Sequence, residues 1–213
     1  MQNGLLYHKL SFYKKKGKIF SLLSSFFIFI GFVLLDQATK LWSQKSFMLS
    51  FSPTEIKDYI QSSHNVFSFH FYENSIYFDV TYVRNTGAAW GILGNLPENI
   101  RPAFFYILTF LAMIFILFLF FKTPQKHTLS RLGIVFVLSG AAGNFIDRFY
   151  LHYVIDWISF HWNILGWQYH YPVFNVADSV VTLGGLFILI DNIFEEIKIR
   201  KLKKQNSNLK EKI

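Results

Sequence analysis

The sequence predicts an α-helical membrane protein with four transmembrane helices and a small extracytoplasmic β-structure. Three observations carry that reading. The 213 residues are 52% hydrophobic and 20% aromatic, with 26 Phe, too apolar for a soluble domain of this length. Residues 103–121 form an uninterrupted nineteen-residue apolar run, long enough to cross a bilayer as a helix. Lys and Arg gather where the loops and tails between apolar runs would meet one side of a membrane. There are no cysteines, which excludes a disulfide framework, a thiolate nucleophile and a Cys-ligated metal.

Residues 1–18 read as a basic cytoplasmic tail. The apolar run 19–35 follows. A cleaved signal peptide is disfavoured, because Asp36-Gln37-Ala38-Thr39-Lys40 is no small-residue cleavage site. A helix of that run alone reaches only about 25 Å against about 30 Å of hydrocarbon, so the first span is drawn over 19–37. Asp36 then stands at the outer boundary. Residues 41–102 form the first outer segment. Within it, 50–63 is polar and reads as loop or short surface helix. The stretches 66–72 and 76–83 are aromatic and β-branched around Glu73-Asn74-Ser75, predicting a hairpin or small sheet. A loop, Arg84-Asn85-Thr86-Gly87-Ala88-Ala89-Trp90-Gly91, follows, and Pro97 and Pro102 bracket entry into the second span at 103–121.

The loop 122–131 is short and basic. The third span covers 131–148 and the fourth 176–194, with a basic tail over 198–213. Between them lies a second outer segment, 150–174, whose Tyr and Trp residues suit the headgroup zone. Charge supports the orientation. The segments placed inside hold fifteen Lys and Arg against four acids, and those placed outside hold six against nine. Both termini are therefore expected in the cytoplasm. Anionic lipid headgroups are the expected partner of the basic segments. Nucleic acid is not, since the basic tail lacks interleaved aromatics.

This topology brings three carboxylates from three helices to one depth: Asp36, Asp147 and Asp178. Each has a bland alternative. Asp178 with Asn175 fits helix capping, Asp147-Arg148 fits an interfacial ion pair, and Asp36 fits a helix end. Asp191, near the inner end of the fourth span, is assigned a structural role. Two adjacent carboxylates share a proton, so one can activate water while the other protonates a carbonyl. The reading is that Asp147 and Asp178 meet and hydrolyse an amide without metal or cofactor. Gly140, Ala141, Ala142 and Gly143 would let another helix approach closely. No His-Glu-x-x-His and no Gly-x-Ser-x-Gly occurs. A proton-coupled channel is disfavoured because residues 110–118 of the second span carry nothing polar, and the middles of the third and fourth spans offer only Ser139 and Thr182. A non-catalytic assembly factor leaves the level of acids unexplained.

Five ordered blocks closely resemble the lipoprotein signal peptidases (signal peptidase II), bacterial intramembrane aspartyl peptidases. They are Asp36-Gln37-Ala38-Thr39-Lys40; Arg84 to Gly91; Gly140-Ala141-Ala142-Gly143-Asn144-Phe145-Ile146-Asp147-Arg148; Val154-Ile155-Asp156-Trp157-Ile158; and Phe174-Asn175-Val176-Ala177-Asp178-Ser179. The resemblance implies removal of the signal peptide from diacylglyceryl-modified prolipoproteins just before the lipidated Cys. It implies a bacterial inner-membrane location, a monomer, and inhibition by the globomycin class of cyclic peptides. It implies a fold in which a β-cradle and an outer loop or helix cover the site. As carried over, the dyad falls on Asp147 and Asp178, with support from Asp36, Lys40, Asn85, Gly87, Asn144, Arg148, Asp156 and Asn175. Two stretches depart from the family pattern: the long first outer segment, 46–75, and an aromatic stretch, 161–171.

Overall fold

A computed structural model describes residues 2–50, 64–71, 76–87 and 100–210. Helix α1 runs over Gln2–Ser50, α2 over Arg101–Lys122, α3 over Thr128–Leu151 and α4 over Val176–Lys210. Each contains a segment long and apolar enough to cross a membrane: Ser21–Leu49, Ala103–Lys122, Thr128–Leu151 and Val176–Asn208. Strands β1 (His64–Phe71), β2 (Ile76–Asn85), β3 (Val154–Ile164) and β4 (Trp167–Phe174) form one antiparallel sheet in that order.

Helix α1 does not end near Asp36. No Gly or Pro interrupts residues 32–50, and polar side chains inside the helix are satisfied locally. Thr39 Oγ1 donates to the carbonyls of Leu35 and Asp36 at 3.0 and 2.9 Å. Lys40 pairs with Asp36 one turn back at 2.8 Å. The helix therefore continues through the stretch read as outer segment and carries Ser43 and Phe47 to the sheet. Ser43 Oγ donates to the Thr81 carbonyl at 3.0 Å. Phe47 stacks on Tyr82, 4.8 Å between ring centres, in a buried cluster with Ile155. That contact seats the sheet on the end of α1.

Helix α2 is apolar on nearly every face and packs mainly on α3. Its turn into α3 is closed by Arg131, which donates to the Phe120 and Thr123 carbonyls, both at 2.9 Å, and lies 4.0 Å over the Phe120 ring. These are unpaired carbonyls of the last helical turn, the position where a cation is favourable. Helix α3 ends on His152, in the left-handed region at φ 66°, with its N–H donated to the Arg148 carbonyl at 3.2 Å.

Glycines set the α3–α4 contact. A Cβ on Gly133 would stand 2.5 Å from the Gly184 carbonyl oxygen, and a Cβ on Gly184 would stand 2.5 Å from that of Gly133. A Cβ on Gly140 would strike the Ala177 carbonyl, and one on Gly143 would strike the Asp36 carboxylate. Backbones thus approach where side chains are missing, as small residues permit in membrane helices. The close approach read from Gly140–Gly143 is present, and its partners are α4 and α1.

The β1–β2 hairpin matches the expected pair of strands, while the turn over 73–75 and the polar segment 51–63 lie outside the described residues. So do 88–99, which include Trp90 and Pro97. Strands β3 and β4 fall where only interfacial aromatics were read. From Ile158 to Ile164 the sequence alternates apolar and polar (Ile, Ser, Phe, His, Trp, Asn, Ile), a period-two signal of a half-buried strand. Leu165 at φ 53° and Gly166 at φ 84° make the two-residue turn, both positive as a tight hairpin requires.

Candidate active site

The polar residues at the sheet end of the bundle form two linked groups. The first lies between α1 and α3. Lys40, 1% exposed, places its ammonium 2.8 Å from Asp36 Oδ2, 2.9 Å from Asp147 Oδ2 and 2.9 Å from Asn144 Oδ1. Asp36 Oδ1 accepts the Ala177 N–H of the first turn of α4 at 2.9 Å, a helix N-terminus where an anion is favoured. Asp147 Oδ1 accepts from Gln37 Nε2 at 2.9 Å and Oδ2 from the Ile155 N–H at 3.1 Å. Asp36 and Asp147 are 1% and 2% exposed. Both oxygens of each are occupied by protein donors.

The second group lines a cavity of about 350 Å³ between β3–β4, α3 and α4. Asp156, Asp178, Asn85, Asn144 and Arg148 supply its polar wall, and Val154, Tyr171, Phe174 and Val181 contribute apolar surface. Asn175 joins the two acids. Its side-chain amide donates to Asp156 Oδ1 at 2.7 Å and its backbone N–H donates to Asp178 Oδ2 at 3.1 Å. Its own Oδ1 accepts the Asp178 N–H at 3.0 Å. Asn175 and Asp178 therefore do form the reciprocal cap read from the sequence, and the cap is what aims Asp178. Asn144 Nδ2 donates to Asp178 Oδ1 at 2.8 Å while its Oδ1 accepts from Lys40 and Asn175, tying the two groups together.

Asn85 completes the wall from β2. Its Nδ2 donates to Asp156 Oδ2 at 2.9 Å and its Oδ1 accepts the Gly87 N–H at 3.0 Å. Arg148 donates at 3.4 Å to the carbonyls of Asn144 and Gly87. The Asp156 carboxyl is pushed up to about 7, first by burial and then by the charge of Asp178. Hydrogen bonds from Asn85 and Asn175 and the charge of Lys40 pull the other way.

All ten residues singled out from the sequence thus lie in one connected network, but the structure does not bring the two expected dyad acids together. Asp147 and Asp178 do not share the cavity. The acid beside Asp178 is Asp156, nine residues beyond Asp147 and on a strand instead of a helix. The azimuth of α3, set by Gly133 and Gly140 against α4, turns Asp147 to Lys40. Gln37 was not singled out, although it stands inside the first matching block; it donates to Asp147 and, at 3.1 Å, to the Gly143 carbonyl. Tyr171 and Phe174 were read only as interfacial or as motif flank, and no spacing signal links them to a cavity wall. Asp191 keeps its structural role, accepting from Ser130 Oγ and lying 3.1 Å from His127 Nδ1 at the far end of the bundle.

Four membrane-length helices bring carboxylates, amides, a lysine and an arginine together beneath a small sheet, the architecture of an integral-membrane protein with a polar site at one end of its bundle. A family model described as Signal peptidase (SPase) II matches residues 28–194, and the chain belongs to that family. A lipoprotein signal peptidase of Clostridium tetani is 32% identical over 164 residues, 77% of this chain and 88% of that one. Another, of Syntrophotalea carbinolica, is 42% identical over 114 residues, 53% of this chain and 67% of its own. A bacterial membrane enzyme solved by the in meso method at 2.3 Å superposes with a TM-score of 0.57 at 31% identity, covering 81% of this chain and 89% of that one. The chain is thus a multi-pass membrane enzyme, an aspartic endopeptidase of the signal peptidase II family.

Proposed function

We propose that the enzyme removes the signal peptide from diacylglyceryl-modified prolipoproteins, cutting just before the lipidated Cys. We further propose that Asp156 and Asp178 form the catalytic dyad. The supporting observation is that these two acids line one cavity and are bridged by Asn175, whereas Asp147 is closed off by Lys40, Gln37 and the Ile155 N–H. In this reading a proton sits on one of the pair. The ionised partner takes a proton from water as it attacks the scissile carbonyl, and the neutral one donates to the oxygen. Asp156, with its carboxyl raised to about 7, suits the proton-holding role at neutral pH. Asn85, Asn144 and Asn175 fix both carboxylates, and Arg148 with the Gly87 carbonyl holds the cavity wall. Asp36, Lys40 and Asp147 are positioning residues that lock α1, α3 and the first turn of α4.

The topology belongs to the same proposal. One integral domain spans a bacterial inner membrane four times, both termini lie in the cytoplasm, and the sheet and cavity lie at the extracytoplasmic face. There a bond beside a lipid anchor would present itself. Anionic lipids meet the basic segments, the working unit is a monomer, and globomycin-type cyclic peptides occupy the cavity.

The test is cleavage of a diacylated precursor peptide, followed by mass spectrometry, with purified variants in nanodiscs. Asp156→Asn and Asp178→Asn each lose about 10²–10⁴-fold or more in rate, with helicity and melting behaviour retained. Asp147→Asn loses activity only in step with lost thermal stability. A fully stable but inactive Asp147→Asn beside an active Asp156→Asn overturns the assignment of the dyad.

A further inference from the structure

The β3–β4 hairpin extends well past the cavity, and its chemistry is unusual for a strand pair facing water. Residues 157–174 contain no Asp, Glu, Lys or Arg. Strand β4 is one of the two edges of the sheet and is exposed over Trp167–Pro172. A solvent-facing edge is normally blunted with charge, most often Lys. Pro172 and the register shift beside it, between the Ile158–Phe174 and Phe160–Tyr171 pairs, are the devices present here. At the tip, Leu165 is 96% and Trp167 82% exposed. Leu165 also adopts φ 53°, in the left-handed region that L side chains other than Asn and Asp seldom enter. A large apolar side chain therefore sits where glycine or asparagine would fit more easily.

The two faces of the hairpin differ. Alternation along β3 puts Asp156, Ile158, Phe160, Trp162 and Ile164 on one face. Register adds Tyr171, Tyr169 and Trp167 from β4, opposite Phe160, Trp162 and Ile164. Trp162 and Tyr169 lie 4.8 Å apart, ring centre to ring centre. The opposite face carries Ser159, His161, Asn163, Gln168 and His170, with Asp79 of β2 3.4 Å from His161 Nδ1. The aromatic face is thus the continuation of the face that carries Asp156 over the cavity. Both roots of the hairpin leave the sheet end of membrane helices, α3 at Leu151 and α4 at Val176.

We infer that this hairpin is an interfacial membrane contact. Its aromatic face and its Ile164–Trp167 tip rest in the headgroup and upper acyl region of the leaflet at the sheet end of the bundle, with the polar face turned to water. Trp and Tyr are the residues that occupy that zone. Beyond Asp156 the face holds no ionic group to desolvate, and the polar headgroup zone leaves the Tyr hydroxyls and Trp N–H groups with hydrogen-bond partners. The contact makes the bilayer part of the support for the strand that bears Asp156. It rests on the proposed membrane topology and is independent of which acids catalyse.

The absence of native cysteine allows a direct test. Leu165→Cys, Trp167→Cys, Gln168→Cys and His170→Cys, each carrying a nitroxide, are placed in nanodiscs of phosphatidylethanolamine and phosphatidylglycerol. Collision with lipid-soluble oxygen and with the water-soluble nickel chelate Ni-EDDA is then read by power saturation. The expected result is oxygen preference at 165 and 167 and nickel preference at 168 and 170, without added substrate. Nickel preference at 165 and 167 overturns the proposal. Shielding at 165 and 167 from both probes overturns it in favour of cover by the chain itself or a second copy. Oxygen preference or immobilisation that develops only on adding a diacylated precursor peptide overturns it in favour of a substrate surface. Peptide cleavage by the same labelled samples shows separately whether the functional reading holds.

Discussion

Asp156 and Lys40 carry the consequences that can be measured one residue at a time. Asp156 is held up to about 7 from an ordinary 3.8, so between about pH 4 and about pH 7 the folded chain keeps a proton that the unfolded chain has released. Stability therefore falls as pH rises through that window. The cost is complete above it, about 4 kcal/mol at most. Thermal unfolding of Asp156→Asn at several pH values should show this slope removed, with relative stabilisation at pH above about 7. Activity has the same origin: if neutral Asp156 donates the proton, kcat/KM should fall as pH climbs past about 7, and a profile from about pH 5 to about pH 9 would show it. Lys40 bridges Asp36 and Asp147, at 2.8 and 2.9 Å. Lys40→Met leaves two buried carboxylates without their counter-ion, and should cost about 3–5 kcal/mol in stability, read as a lowered melting midpoint in detergent.

At the scale of elements, the α3–α4 seam governs which side chains reach the cavity. Gly133 and Gly184 face each other so closely that a methyl on either meets a carbonyl at 2.5 Å. Backbone must move to admit it. Gly184→Val should destabilise by about 1–3 kcal/mol and should lower cleavage beyond that loss, because any shift of α4 moves Asp178. Gly185, which meets nothing within 4 Å, is the matched control. Gly185→Ala should leave both unfolding and activity close to the unmodified enzyme. The hairpins show what sequence patterning does and does not reveal. The β1–β2 pair was legible because aromatic and β-branched residues flank a polar triplet. The β3–β4 pair carries equally good alternation, yet its Trp and Tyr content fits a headgroup belt as well as a strand. Pairing with β2, which only tertiary structure supplies, makes the stretch a strand pair, whichever surroundings its aromatics meet.

For the whole molecule, charge asymmetry makes a prediction that geometry does not. The two tails and the 122–131 loop hold fifteen of the 21 Lys and Arg, and the positive-inside rule puts them in the cytoplasm. A C-terminal green fluorescent protein fusion should fluoresce, and an alkaline phosphatase fusion at the same point should be inactive. The reverse pattern would invert the topology and put the cavity on the wrong side for a translocated precursor. The apolar groove between α1, α2 and α3, lined by Phe26, Phe29, Phe110, Leu117, Phe120 and Leu138, lies in the membrane-spanning part of the bundle, where lipid tails are the natural neighbour.

Sequence alone determined the class and the presence of four membrane-length helices, and the family resemblance picked out ten residues that fall in one polar network. Apolar run length and charge placement fix how deep each residue lies, and depth follows from a rise of about 1.5 Å per helical residue. What they cannot fix is azimuth. Asp147, Asp156 and Asp178 all lie at the sheet end of the bundle, and nothing in a run of residues says which way the first two point. Close packing of Gly133 and Gly140 on α4 turned Asp147 toward Lys40, and the pairing of β3 with β2 turned Asp156 into the cavity. Which acid faces Asp178 was a question of rotation and strand register, and only the tertiary structure decided it.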